Sequence, residues 1–103
     1  MRIRRQGGRF VELRVRGHAG LAPAGQDVAC AGVSALVLSA AYGLRRHCRA
    51  SVDLTDHPAG EFTLRTRGGG TAAAAVLNTA VSGLRAIARS YPGYVKVTIT
   101  RDG

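Results

Sequence analysis

Residues 10–16 read Phe10-Val11-Glu12-Leu13-Arg14-Val15-Arg16, and their alternation decides the layer architecture. Val11, Leu13 and Val15 point one way from an extended chain, while Glu12, Arg14 and Arg16 point the other. A strand with one apolar and one charged face belongs to a sheet covered on one side only. Upstream, Met1 to Arg5 is a weaker strand, and Gln6-Gly7-Gly8-Arg9 supplies a hairpin turn between the two. Downstream, Gly17 to Gln26 holds three glycines and Pro23 and reads as an irregular loop.

Asp27 then precedes a long Ala/Val/Leu segment that ends near His47, the first helix. Alternation returns at Ala50, Val52 and Leu54, and again at Phe62 and Leu64. The stretch Asp56-His57-Pro58-Ala59-Gly60 makes these a second hairpin. Gly68-Gly69-Gly70 breaks the chain, and Thr71 is the expected cap of a second helix. That helix carries the stripe Val76, Leu77, Ala80, Val81, Leu84, Ile87 and Ala88. Pro92-Gly93 ends it, and Tyr94 to Thr100 reads as a last strand with Val95, Val97 and Ile99 inward. The predicted fold is an α+β two-layer sandwich of order ββαββαβ. Its sheet is mainly antiparallel, and both helices lie on one face. At 103 residues the chain is expected to form one domain.

Composition narrows the class. A hydrophobic fraction of 46% is that of a globular chain and excludes a disordered one. The basic start, Met1 to Gln6, is followed by no apolar stretch of the signal-peptide kind. The uncharged run from Val28 to Leu44 barely reaches membrane-spanning length, and Gly32, Ser34, Ser39 and Gly43 dilute it. It reads as a buried helix, and the expectation is a cytoplasmic protein without membrane contact. Cys30 and Cys48 are too few for a disulfide framework and are expected to be free thiols.

Charge is lopsided. Fifteen basic residues face six acidic ones, a formal net of +9, and every basic residue except Lys96 is arginine. Such a balance favours polyanionic surroundings, RNA and ribosomes among them. A solvated basic surface has the same composition, because net charge locates no site.

The chemistry sits between the second strand and the first helix. His18 follows Gly17 at the end of that strand, fixed by a rigid element yet opening onto a loop. With Asp27 as N-cap, Cys30 falls at the third helical position, within the first turn. Free N–H groups and the positive end of the helix dipole favour a thiolate there. A neighbouring His18 would complete a thiolate–imidazolium pair. The N–H groups of Ala29 and Cys30 would be placed to hold an oxyanion. The plainer reading makes Cys30 a small buried hydrophobe and His18 a hydrogen-bonded histidine.

Gly17-His18-Ala19-Gly20, followed by Gly25-Gln26-Asp27-Val28-Ala29-Cys30-Ala31-Gly32-Val33-Ser34-Ala35-Leu36, closely resembles the ribosomal-processing cysteine proteases known as Prp. That bacterial family carries a Gly-His-Ala segment, a mobile glycine-bearing loop and then Gly-x-Asp-Ile-Val-Cys-Ala-x-x-Ser. The resemblance places the family's catalytic histidine on His18 and its catalytic cysteine on Cys30, with Asp27 and Ser34 as further matches. It implies a homodimeric endopeptidase that removes a short N-terminal extension from large-subunit ribosomal protein L27. No cofactor or metal is implied. Val28-Ala29 stands where the family has Ile-Val. Leu21 to Ala24 stands where relatives commonly place an aromatic and an acidic residue.

Other sites compete for the same residues. Ser34, one helical turn beyond Cys30, either orients the pair or bonds back to a helix carbonyl. A Ser34–His18–Asp27 triad would put its nucleophile deep in a helix. His18, Cys30, His47, Cys48 and His57 fit no zinc spacing. Gly68-Gly69-Gly70-Thr71 could cradle an anion but lacks the lysine of a P-loop. Cys48 sits at the negative pole of the first helix, where packing is the simpler role. The alternative function is a non-catalytic ribosome- or RNA-binding module. Against it stand aromatics at only 5% and the lack of an RNP-type motif.

Overall fold

The computed structural model describes residues 1–16, 24–57, 61–92, 95 and 97–102; the side chains of residues 16, 24–27, 56, 57, 62 and 102 are outside that description. The elements in order are β1 (Arg2–Gln6), β2 (Arg9–Arg16), α1 (Ala24–His47), β3 (Ser51–His57), β4 (Glu61–Arg67), α2 (Gly70–Ser90) and β5 (Thr98–Asp102). They form one five-stranded sheet of order β3-β4-β2-β1-β5. Three pairings are antiparallel and the β1–β5 pairing is parallel. This is the expected ββαββαβ sandwich with a mainly antiparallel sheet.

One cross-strand row states the logic of the core. Ile99 pairs with Ile3, Ile3 with Leu13, Leu13 with Leu64, and Leu64 with Leu54. Ile3, Leu13 and Leu64 are fully buried. Because side chains alternate across a strand, this row faces the helices and the rows flanking it face away. From α1 the core takes Ala29, Val33, Val37, Ala40, Ala41 and Leu44, spaced three and four apart as one helix face requires. From α2 it takes Ala73, Leu77, Ala80, Val81 and Leu84.

The helices run antiparallel and close together. A Cβ on Gly32 would lie 3.1 Å from Ile87, and one on Gly83 would lie 2.9 Å from Leu36. Residues 28–47 of α1 and the whole of α2 are each long and apolar enough to cross a membrane. Here each buries one face between its neighbour and the sheet.

Several boundaries differ from the sequence reading. Gly7 and Gly8 have φ of 59° and 77°, so the first hairpin turns on two left-handed residues and β1 runs through Gln6. The register shifts between Arg4 and Arg5, with Arg5 opposite Phe10. Val11 is therefore the extra residue of a bulge, and Phe10 enters the core instead. A strand simply alternating from Val11 misses this, because a bulge moves the residues before it to the other face. Strand β3 continues through His57 rather than turning at Asp56. Thr71 is not the cap of α2; Gly69 is, with φ 82° and no side-chain cap. The last strand starts at Thr98 rather than Tyr94, and Val95 and Val97 pack on the core as irregular chain.

Candidate active site

Helix α1 begins at Ala24. This corrects the expectation that Asp27 caps it: Asp27 is its fourth residue and Cys30 its seventh. Gly25 costs the helix about 1 kcal/mol relative to alanine. Ala24 and Gln26 are good helix formers, and in the sequence Pro23 directly precedes Ala24, which suits a helix start. The extra turn changes the electrostatics expected of Cys30. Only the first four N–H groups of a helix lack an internal acceptor, and with Ala24 as the first helical residue they end at Gln26. The amides of Ala29 and Cys30 lie beyond them, in the region where the helical ladder occupies each N–H.

Cys30 is half-buried and free. Its neighbours divide the helix surface: Ala29 is buried in the core, while Val28, at 58% exposure, and Ala31 face outward. Cys30 thus stands at the boundary between core and solvent, where a thiol meets both. Ser34, one turn further along α1, is also half-buried. The structure therefore keeps Cys30 and Ser34 on one helix face. His18 lies outside the described residues, as does the side chain of Asp27. Of the expected loop 17–26, residues 24–26 belong to α1, and residues 17–23 lie outside the description.

Cys48 contrasts with Cys30. It follows the last residue of α1 and is buried at 9% exposure within the core cluster. The helix end beside it is closed by the Ala50 N–H donating to the Leu44 carbonyl at 3.1 Å, with Arg49 at φ 54°. Arg45 and Arg46 lie in the last turn of α1. Packing accounts for Cys48 fully. Among the described residues no three His, Cys, Asp or Glu side chains come together as metal ligands do.

The sequence placed Glu12, Arg14 and Arg16 on the outward face of β2, but not the neighbours that gather around Glu12 there. Glu12, at 12% side-chain exposure, is bracketed by Arg4 at 2.9 Å, Arg65 at 3.4 Å and Arg14 at 3.7 Å. The signal was present in the alternation of β2, which turns Glu12 and Arg14 outward together.

A family model described as cysteine protease Prp matches residues 1–96. The fold is similar to the SMU.848 protein of Streptococcus mutans, with a TM-score of 0.82 and 21% identity over 98% of this chain and 92% of that one. It is also similar to the essential ribosomal processing protease Prp of S. aureus. The structure of that protease with a substrate peptide has a TM-score of 0.79 and 19% identity over 98% of both chains. Its structure with a covalently linked product peptide has a TM-score of 0.78 and 21% identity, over 96% of this chain and 98% of that one. No protein of curated function matches the chain.

Proposed function

This chain belongs to the cysteine protease Prp family, and we propose that it is a ribosomal-processing endopeptidase that removes the N-terminal extension of large-subunit ribosomal protein L27. The observation that carries the proposal is the family match over residues 1–96, which spans both His18 and Cys30. The half-buried position of Cys30 supports it, because a nucleophile must reach a substrate and a core cysteine cannot.

In this proposal His18 removes the proton from the Cys30 thiol, and the sulfur attacks the scissile carbonyl carbon. The tetrahedral intermediate collapses as the C–N bond breaks, and the imidazolium of His18 gives its proton to the leaving amine. Water, deprotonated by His18, then cleaves the thioester and returns the thiol. Ser34 and Asp27 are positioning residues for the pair. Use of the Ala29 and Cys30 amides as oxyanion donors requires the start of α1 to unwind, since both lie past its first four N–H groups. The proposal includes a cytoplasmic homodimer with proximity to ribosomal RNA.

The test is cleavage of N-terminally extended L27 from the same organism by the purified protein. Cleavage within the extension, lost in a folded Cys30→Ala variant, is the expected result. Cleavage that survives in Cys30→Ala would assign the activity elsewhere. The second reading, a non-catalytic RNA-binding module, is favoured by the arginine-rich sheet face. It predicts RNA binding with no cleavage by any variant.

A further inference from the structure

Among the described elements the helices cover one face of the sheet and leave the other open, and the cross-strand register fixes what that open face presents. One outward row runs Thr100, Arg4, Glu12, Arg65, Asp53. Its signs alternate, and Glu12 pairs with Arg4 at 2.9 Å and with Arg65 at 3.4 Å. The next outward row runs Thr98, Arg2, Arg14, Thr63, Thr55. It holds two arginines directly opposite each other, of which Arg14 reaches Glu12 of the first row at 3.7 Å, and Thr63, which is buried between its neighbours.

Two cavities open on this face. One of about 160 Å³ is lined by Met1, Arg2, Arg14 and Thr98. The other, about 380 Å³, takes Arg4, Arg9, Arg65 and Arg67 against the single carboxylate of Asp53. Among the described side chains the open face carries six arginines, at 2, 4, 9, 14, 65 and 67, against Glu12, Asp53 and Glu61.

We infer that this open sheet face binds the phosphate backbone of folded RNA. The chemistry is that of the guanidinium, whose planar fork matches phosphate oxygens in pairs. Five strands at about 4.8 Å spacing make a face about 19 Å wide, suited to two runs of phosphates rather than one extended acidic peptide. Neither outward row nor either cavity holds an aromatic side chain. Stacking on bases is therefore not available, and recognition rests on phosphates without reading sequence. Among the described residues the face offers only Val11 and Met1 as apolar side chains for insertion into a lipid surface. Cys30 lies in the helical layer, so an RNA held on the open face leaves the helix side free. The inference adds a surface to the proposed ribosomal function, but it stands or falls without reference to cleavage.

The experiment is fluorescence anisotropy with a labelled 20-base-pair RNA duplex, titrated from 50 to 300 mM KCl. Two double variants remove one cavity each: Arg2→Gln with Arg14→Gln, and Arg9→Gln with Arg67→Gln. Arg85→Gln with Arg89→Gln, on exposed positions of α2, removes the same charge from the opposite layer. Thermal melts check that each variant is folded. Each sheet-face pair should lower the steepness of log K against log salt by about 2, about 1 per arginine. The α2 pair should leave it unchanged, and two duplexes of unrelated sequence should bind alike. Equal losses from the α2 pair would reduce the effect to net charge and overturn the assignment. Tighter binding of phosphatidylserine vesicles or of polyglutamate than of RNA would overturn the partner class. Failure to bind the duplex at 50 mM salt would overturn the inference outright.

Discussion

Gly69 lies so close to Ala73 that a Cβ on it would come within 2.7 Å of the Ala73 Cβ. The same atom would meet Ala50 at 3.0 Å and the Cys48 carbonyl at 3.2 Å, and Gly69 has φ 82°. The three-glycine break before α2 is thus a packed corner where the end of α1, the start of β3 and the start of α2 converge. Its neighbour Gly70 has φ 60°, but a Cβ there would meet nothing within 4 Å.

These two glycines make a matched pair. Gly69→Ala should cost about 2–5 kcal/mol, from left-handed backbone strain and from overpacking together. Gly70→Ala should cost about 1–2 kcal/mol, from the strain alone. Urea unfolding of both variants checks the difference; equal losses would remove the steric part of the argument.

The two cysteines should differ in reactivity because they differ in access. A small alkylating reagent should label half-buried Cys30 well before Cys48, which is packed in the core at 9% exposure. Peptide mapping after brief exposure reads the order. His18→Ala should slow labelling at Cys30 and leave Cys48 unaffected. Labelling of Cys48 first would remove Cys30 from the nucleophile's role.

Cys48→Ala should preserve cleavage of extended L27 while lowering stability by about 1–2 kcal/mol, the cost of a small cavity in the core. Cys30→Ala should do the reverse, abolishing cleavage with little loss of stability. Measuring turnover and melting on both variants separates a chemical role from a packing one.

Glu12 is the hub of the outward charges, so Glu12→Gln removes the carboxylate that Arg4, Arg14 and Arg65 share. The expected loss is about 1–2 kcal/mol at low salt, since hydrogen bonds to charged groups exceed neutral ones. It should shrink as salt screens the repulsion. Denaturation at 20 mM and 500 mM NaCl measures the change, and a salt-independent loss would point to packing instead.

The order of elements and the apolar stripe of α2 were legible in the sequence, because periods of 2.0 and 3.6 are properties of the residues themselves. Leu13 and Val15 against Glu12 and Arg14 are enough to orient β2. The bulge at Val11 was not legible, since it arises from pairing with β1 rather than from β2 alone. The start of α1 was misplaced by treating Asp27 as a cap. A good capping residue also fits inside a first turn when Ala24 and Gln26 extend the helix before it. Thr71 failed as a cap for another reason: Gly69 serves as the N-cap through backbone conformation, without a side chain. At the candidate site, Cys30 was found through the motif around it, and its half-buried position is a property of α1 that no local pattern reveals.

The parallel pairing of β1 with β5 joins residues 2–6 to residues 98–102, almost the whole chain apart. During synthesis the hairpin of β1 and β2 emerges first, and its outer edge has no partner until the last strand appears. Contacts of such separation carry the largest loop-closure cost and form late. For most of translation, then, the nascent sheet shows an open edge at β1, a template on which other extended chains can add. Arg2, Arg4 and Arg5 line that edge strand, and charged side chains on an exposed edge disfavour such addition.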